Sequence, residues 1–228
     1  VRLPLKPVGG EVIKLVDPEG RSFLAQRIAS DGQYGEYLFK PPVVPSLGYI
    51  ALNATPAGTA PAPQAVESPL KVTDRTLEND LCLVEIGDRG ELVRYYDKAA
   101  EREVIDPHEP ANLLQFFQDG PEGESAWNVH ATFEGREYPS DGECRIGMKE
   151  QGPVRVSLVV EHQFRDSRIV QEIRLCRGER RLDFHTRVEW HERQVLLKAA
   201  FPVRILADSA TYEVQFGALH RSTHWNTS

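Results

Sequence analysis

The sequence predicts an all-β protein, and three observations carry that prediction. Apolar and polar residues alternate one by one over long stretches, turn tetrads rich in Gly, Pro and Asp separate those stretches, and helical spacing fits none of them well. Alternation marks a strand because successive side chains leave opposite faces of the pleat. In PVRVSLVVEHQF, Val154, Val156, Leu158, Val160 and Phe164 share one face. In RLDFHTRVEW, Leu182, Phe184, Val188 and Trp190 share one face, and Asp183, His185, Arg187 and Glu189 share the other.

Taken in order, the first segment runs from Val1 to about Pro56. EVIKLVD and RSFLAQRI flank the tetrad DPEG (Asp17 to Gly20), which is hairpin chemistry. YGEYLFK and GYIALNA follow, separated by PPVVPSLG, whose prolines withhold ladder donors and mark a connection. The segment reads as a small β-domain of about four strands. Residues 57–69, AGTAPAPQAVESP, carry almost no apolar bulk and read as an extended Ala/Pro-rich linker.

The main domain is expected over residues 70–228. LENDLCLVEI and ELVRYYD flank GDRG (Gly87 to Gly90), a second hairpin. An irregular excursion extends from about Asp106 to Asp141. RIVQEIRLC, with GER as its turn, joins the two alternating stretches. VLLKAAFPVRIL is apolar on both faces, and TYEVQF groups Tyr212, Val214 and Phe216. Long antiparallel strands joined by short turns predict a large meandering sandwich.

Composition bounds the function. The chain has 228 residues, enough for one sizeable β-domain or a small and a medium one. Apolar residues make up 40%, so a packed core is expected rather than disorder. The net charge of −7 argues against nucleic acid as a partner. No run of about 18 apolar residues predicts a membrane span. VRLPLKPVGG has no apolar stretch of the signal-peptide kind and reads as a cut end. Cys82, Cys144 and Cys176 are an odd, widely spaced set, a poor disulfide framework and the pattern of idle thiols in a reducing compartment. A cytoplasmic location is therefore expected.

The usual catalytic motifs, GxSxG, the P-loop, GxGxxG and HExxH, do not occur. His220 and His224, in HRSTH, would share a face on a helix and could bind zinc there, but they follow a strand and are expected in a hydrogen-bonding loop. Asp183 and Glu189 share a strand face, yet six residues at ~3.3 Å span roughly 20 Å. Glycoside hydrolysis needs two carboxyl groups about 5–9.5 Å apart. That face reads as solvated surface, with the wall of a groove or a domain interface as the other reading. The excursion holds FFQDGPEGESAWNV, with Asp119, Trp127 and Asn128 in a Gly-rich loop. An exposed aromatic beside Asp and Asn suits sugar binding, the ring on the apolar face of a pyranose and the polar groups on its hydroxyls. A plug for the local core is the competing reading of Trp127.

Five stretches together resemble the C-terminal half of the family 38 glycoside hydrolases, the α-mannosidases, in the order that family shows. They are VPSLGY, LENDLCLVEIGDRGELVRYYDKAAEREVI, NLLQFFQDGPEGESAWNV, SRIVQEIRLCRGERRLDFHTRVEWHERQVLLKAAFPV and YEVQFGALHRSTHWNTS. The resemblance implies a galactose-mutarotase-like super-sandwich, truncated at its C-terminus, preceded by a small β-sandwich domain. It implies that the catalytic barrel, with its Asp nucleophile, acid/base and zinc, lies N-terminal to this region, so that no catalytic residue, metal ligand or cofactor is expected here.

Terminal α-mannosides of glycans are the implied substrate, and the implied partners are a mannose-containing oligosaccharide and the protein's own catalytic domain. The β-region of this family lends residues to the rim of the sugar site. Trp127 matches the aromatic of that rim and Arg221 its late Arg, with Asp119 and His224 as further candidates. The alternative reading is a freestanding carbohydrate-binding β-sandwich module. A mutarotase-type epimerase, with His185 and Glu189 as acid and base, finds no motif to support it. A sandwich with an open sheet edge also predicts pairing with a second copy.

Overall fold

The computed structural model describes residues 2–5, 12–30, 34–56, 70–120, 123–124, 127–129 and 132–224. The expected linker at 57–69 lies outside them. The described residues contain strands, turns and one 3-10 turn (Phe133–Arg136), with no α-helix among them.

The first sheet is built from β1 (Arg2–Leu5), β2 (Val12–Val16), β3 (Ser22–Ser30), β4 (Gly35–Phe39) and β5 (Asn53–Pro56). Its strands are antiparallel, in the order β1-β4-β3-β2-β5. The DPEG tetrad forms the β2–β3 turn: Gly20 N donates to Asp17 O at 3.0 Å, and Gly20 sits at φ +81°, where a side chain would be strained. Ile13, Leu15, Ala25, Tyr37 and Phe39 form its core. Five strands stand where the sequence suggests about four. The extra one is β1, whose Pro4 conceals it in the sequence but is tolerated because β1 lies at the edge.

The second part is a sandwich. One layer is a meander of β6 (Lys71–Val72), β7 (Thr76–Glu78), β8 (Cys82–Ile86), β9 (Leu92–Asp97) and β10 (Arg102–Glu103), in the order β10-β9-β8-β7-β6. The facing layer is β13 (Cys144–Gln151), β14 (Arg155–Phe164), β15 (Ser167–Cys176) and β16 (Leu182–Glu189), antiparallel and in sequence order. The alternation of β14 fills the space between the layers. Val156, Leu158 and Val160, with Ile173 and Leu175 of β15, pack on Leu77, Cys82, Val84, Ile86 and Leu92. Gly90 (φ +76°) turns β8 into β9 so close to the facing layer that a Cβ there would run into Val160 Cγ1.

Next to that meander, β11 (Leu113–Gln118) pairs with β12 (Glu137–Tyr138) and with β17 (Val195–Ala200). These strands cover the other end of the facing layer through Leu114, Phe116, Phe164 and Ile169, with the rings of Phe116 and Phe164 stacked at 3.7 Å. So the excursion that reads as irregular contains two strands. A hairpin of β18 (Ser209–Val214) and β19 (Gly217–Ser222) follows as a separate two-stranded sheet.

VLLKAAFPVRIL is not one strand. β17 ends at Ala200, Pro202 follows, and Phe201, Val203, Ile205 and Leu206 are exposed despite their apolar character. Phe216 stands at φ +60° in the β18–β19 turn, outside the alternation that groups it with Tyr212 and Val214.

Two side chains join distant parts of the chain. Gln26 of β3 is buried, and its Oε1 accepts the N–H groups of Val154 and Arg155 at 3.2 and 2.9 Å, where β14 begins. Gly152 leaves room for that carboxamide, since a Cβ there would run into Gln26 Cδ. Asn79, fully buried, donates through Nδ2 to the carbonyls of Cys176 and Glu179 and accepts the N–H groups of Leu81 and Cys82.

Candidate functional site

β11 carries the chain toward the loop that holds the aromatic candidate. Its partner β17 fixes the end of the strand, and the ladder extends past it: Asp119 N donates to Gln194 O at 2.8 Å. Gly120 follows at φ +98°, a backbone conformation that favours glycine. Glu124, at φ +64°, starts a tight turn whose carbonyl accepts the N–H groups of Trp127 and Asn128 at 2.8 and 3.0 Å. That turn presents the Trp127 side chain outward at 86% exposure, beside exposed Asn128. A ring so exposed is not a plug for the core. Phe133 packs against β11 instead, edge-on to Phe117 at 5.1 Å, with Lys198 Nζ 4.3 Å from the centroid of the Phe133 ring.

Asp119 thus extends the β11–β17 ladder, while Trp127 and Asn128 are held by the Glu124 carbonyl. Asp119 is half-buried, and Trp127 and Asn128 are exposed. Arg221 lies on β19, opposite Ala210 in the hairpin, with its guanidinium 5.9 Å from the centroid of the Tyr212 ring. His224 follows β19 and is exposed. Arg221 belongs to a different sheet from β11 and makes no hydrogen bond or ring contact with Trp127 among the described residues.

The metal reading of HRSTH depends on helical spacing. His220 instead lies within β19, where its Nδ1 is 2.9 Å from Thr211 Oγ1. Among the described residues no group of three His, Cys, Asp or Glu side chains comes together to hold a metal.

A cleft at one end of the β13–β14–β15 face is lined by Glu143, Arg145, Glu161, His162, Gln163 and Arg168. Its acids are already paired, Glu143 with Arg145 and Glu161 with Arg168, each at 2.8 Å. Burial pushes the His162 imidazole below its ordinary pKa, and its Nε2 is enclosed without a hydrogen-bond partner among the described residues.

The most perturbed carboxylate is one that no sequence motif singles out. Glu172 of β15 is buried on the polar face of the four-stranded sheet. Burial alone would raise its pKa. Hydrogen bonds from Arg174, Lys149 and Ser157 overcome that and hold it at about 2. Beside it Arg155 grips Glu150 through Nε and Nη2 at 2.6 and 2.7 Å. A carboxylate so firmly ionised and enclosed is a poor proton donor or nucleophile, so the network reads as structural. Its signal lies in RVS and QEIR, whose pairing sets Ser157 opposite Arg174 and leaves Arg155 and Glu172 on the same face.

Comparison with known proteins agrees with this architecture. Residues 77–228 match the profile described as the glycosyl hydrolases family 38 C-terminal domain. The chain is 34% identical over 192 residues to alpha-mannosidase 2C1 of Homo sapiens, covering 81% of this chain and 18% of that protein. It is 32% identical over 162 residues to alpha-mannosidase G of Dictyostelium discoideum, covering 68% of this chain and 15% of that one. An alpha-mannosidase structure from Enterococcus faecalis V583 superposes with a TM-score of 0.62 at 13% identity, over 100% of this chain and 31% of that chain, which shows a shared fold. The chain thus spans less than a fifth of the relatives it matches in sequence.

Proposed function

Since the chain belongs to glycosyl hydrolase family 38 and carries that family's C-terminal domain, we propose that it is the non-catalytic β-region of an α-mannosidase acting on terminal α-mannosides of glycans. The observation that carries this reading is the match of residues 77–228 to the family's C-terminal domain, within a chain that covers 18% of a relative named as an alpha-mannosidase. In this reading the bond-breaking carboxylates and the zinc belong to a catalytic barrel elsewhere in the full protein. The β-region supports that barrel and contributes to the rim of the sugar site.

Trp127 is the foremost rim residue. Its exposed ring offers an apolar platform for the face of a pyranose, and Asn128 beside it offers a donor and an acceptor to hydroxyls. Asp119 supports the base of the same loop. Arg221 and His224 would reach the rim from the β18–β19 hairpin. The three unpaired thiols suit a cytoplasmic protein, where disulfides are rare.

The test is turnover of a chromogenic α-mannoside by the purified 228-residue chain with zinc supplied. No turnover is expected, and turnover dependent on this chain would overturn the non-catalytic reading. The rim role is tested separately in the full-length protein by Trp127→Ala.

A further inference from the structure

We propose that the β8–β9 turn, residues 87–91, is an acid-released latch: protonation of His162 on β14 drives the turn off the facing layer and opens that end of the sandwich. The inference stands apart from the glycosidase reading and rests on residues packed inside the sandwich.

The turn is a self-contained unit. Gly87 N donates to Glu91 O at 2.8 Å, Gly90 N to Gly87 O at 3.2 Å and Arg89 N to Glu91 Oε2 at 2.8 Å. At its base the β8–β9 register shifts between Glu85 and Ile86, an irregularity that interrupts the ladder and supplies a hinge. Three contacts hold the turn down. Arg89 Nη2 donates to Ser140 O at 2.7 Å, Asn112 Nδ2 donates to Gly90 O at 3.3 Å, and Gly90 lies against Val160 and His162. A Cβ on Gly90 would stand 3.2 Å from His162 Nε2.

His162 sits where a neutral ring fits and a charged one does not. Its Nε2 is buried with no hydrogen-bond partner among the described residues. A neutral ring can carry its proton on Nδ1. An imidazolium must also carry one on Nε2, which is then a buried donor with no acceptor.

The surrounding charges do not compensate. From the turn, Arg89 adds like charge, the Glu91 carboxylate is engaged by the Arg89 N–H, and Asp88 is paired with Arg75. From β13 the Cys144 thiol stands opposite His162, and burial pushes its pKa up, so it stays neutral. From β15 the residue opposite is Ile169. On the cleft side Glu143 pairs with Arg145 and Glu161 with Arg168. The half-buried ring lines that cleft, which gives protons a way in. Burial, with Arg89 second, lowers the folded pKa of His162 below the ordinary 6.5. The opened form then binds the proton more readily, so the latch is closed above pH ~6.5 and weakens as pH falls below it.

Hydrogen exchange of the full-length protein at about pH 7.5 and pH 5, corrected for the intrinsic pH dependence of exchange, tests the latch. Amides of residues 87–91 should lose protection severalfold at the lower pH, while those of Leu158 and Ile173 hold theirs. His162→Gln, which takes up no proton, should make protection of the turn equal at both pH values. Arg89→Gln removes the neighbouring charge, so the loss between the two pH values should shrink, whatever the protection at pH ~7.5. This second variant decides the matter if His162→Gln does not fold. A wild-type turn equally protected at both pH values overturns the proposal. So does a pH dependence undiminished in either folded variant, or a loss of protection that spreads equally to Leu158 and Ile173.

Discussion

Gln26 and Arg155 are 129 residues apart in sequence, yet the Gln26 side-chain oxygen accepts the Arg155 backbone N–H at 2.9 Å. The same oxygen accepts Val154 N–H. One carboxamide thus serves two buried donors at the start of β14, and it does so from the first sheet. Gln26→Ala leaves both donors without an acceptor, at ~1–3 kcal/mol for each unsatisfied buried group. Equilibrium urea unfolding should show a lower midpoint. Gly152→Val should act in the same direction by driving a side chain into the space of that carboxamide.

Glu172 gives the pH dependence. Its folded pKa, about 2, lies below the ordinary 4.5 of a glutamate. A lowered folded value means that the unfolded chain binds the proton more readily, so the contribution is complete above pH ~4.5 and is lost as pH falls toward ~2. Glu172→Gln should therefore cost on the order of 2–3 kcal/mol at pH 7, and the gap from wild type should close on acidification. Thermal melts of both proteins at about pH 7, 5 and 3 check it. A gap that widens in acid would contradict the assignment.

Asn79 holds four backbone groups from full burial. Asn79→Ala removes all four partners and should destabilise by about 2–4 kcal/mol. Asn79→Asp keeps the acceptor but loses both donors to Cys176 and Glu179, and should be no milder, since it places a charge against two carbonyls. Denaturant titration ranks the two variants.

Trp127 should behave in the opposite way. Its ring is exposed, so Trp127→Ala should leave the stability unchanged within ~0.5 kcal/mol. In the full-length protein the same substitution should lower kcat/KM on a mannose oligosaccharide roughly tenfold, the value of about 1.4 kcal/mol of lost contact. A loss of stability with no loss of kcat/KM would place the residue in the scaffold.

How much of this is legible in the sequence follows from the range of the forces involved. The two turn tetrads and the alternation of β14 to β16 are local, and the sequence displays them directly. β1 is hidden because Pro4 usually argues against a strand, and only its edge position permits it. Residues 201–206 mislead because apolar character on both faces resembles a buried strand, while the exposure of Ile205 and Leu206 is visible only in the fold. Asn79 cannot be singled out, because its partners lie about a hundred residues downstream. For Trp127 the sequence leaves a core plug and a surface platform open, and the turn at Glu124 decides for exposure.

The Asn79 bolt also bears on the order in which the molecule assembles. β13 to β16 are consecutive neighbours and can zip up through short loops. Closing Asn79 onto Cys176 spans 97 residues, and closing Gln26 onto Val154 spans 128. Long closures cost more chain entropy and come late. The four-stranded sheet should therefore acquire hydrogen-exchange protection before the two long-range clasps engage, and those clasps should limit the refolding rate.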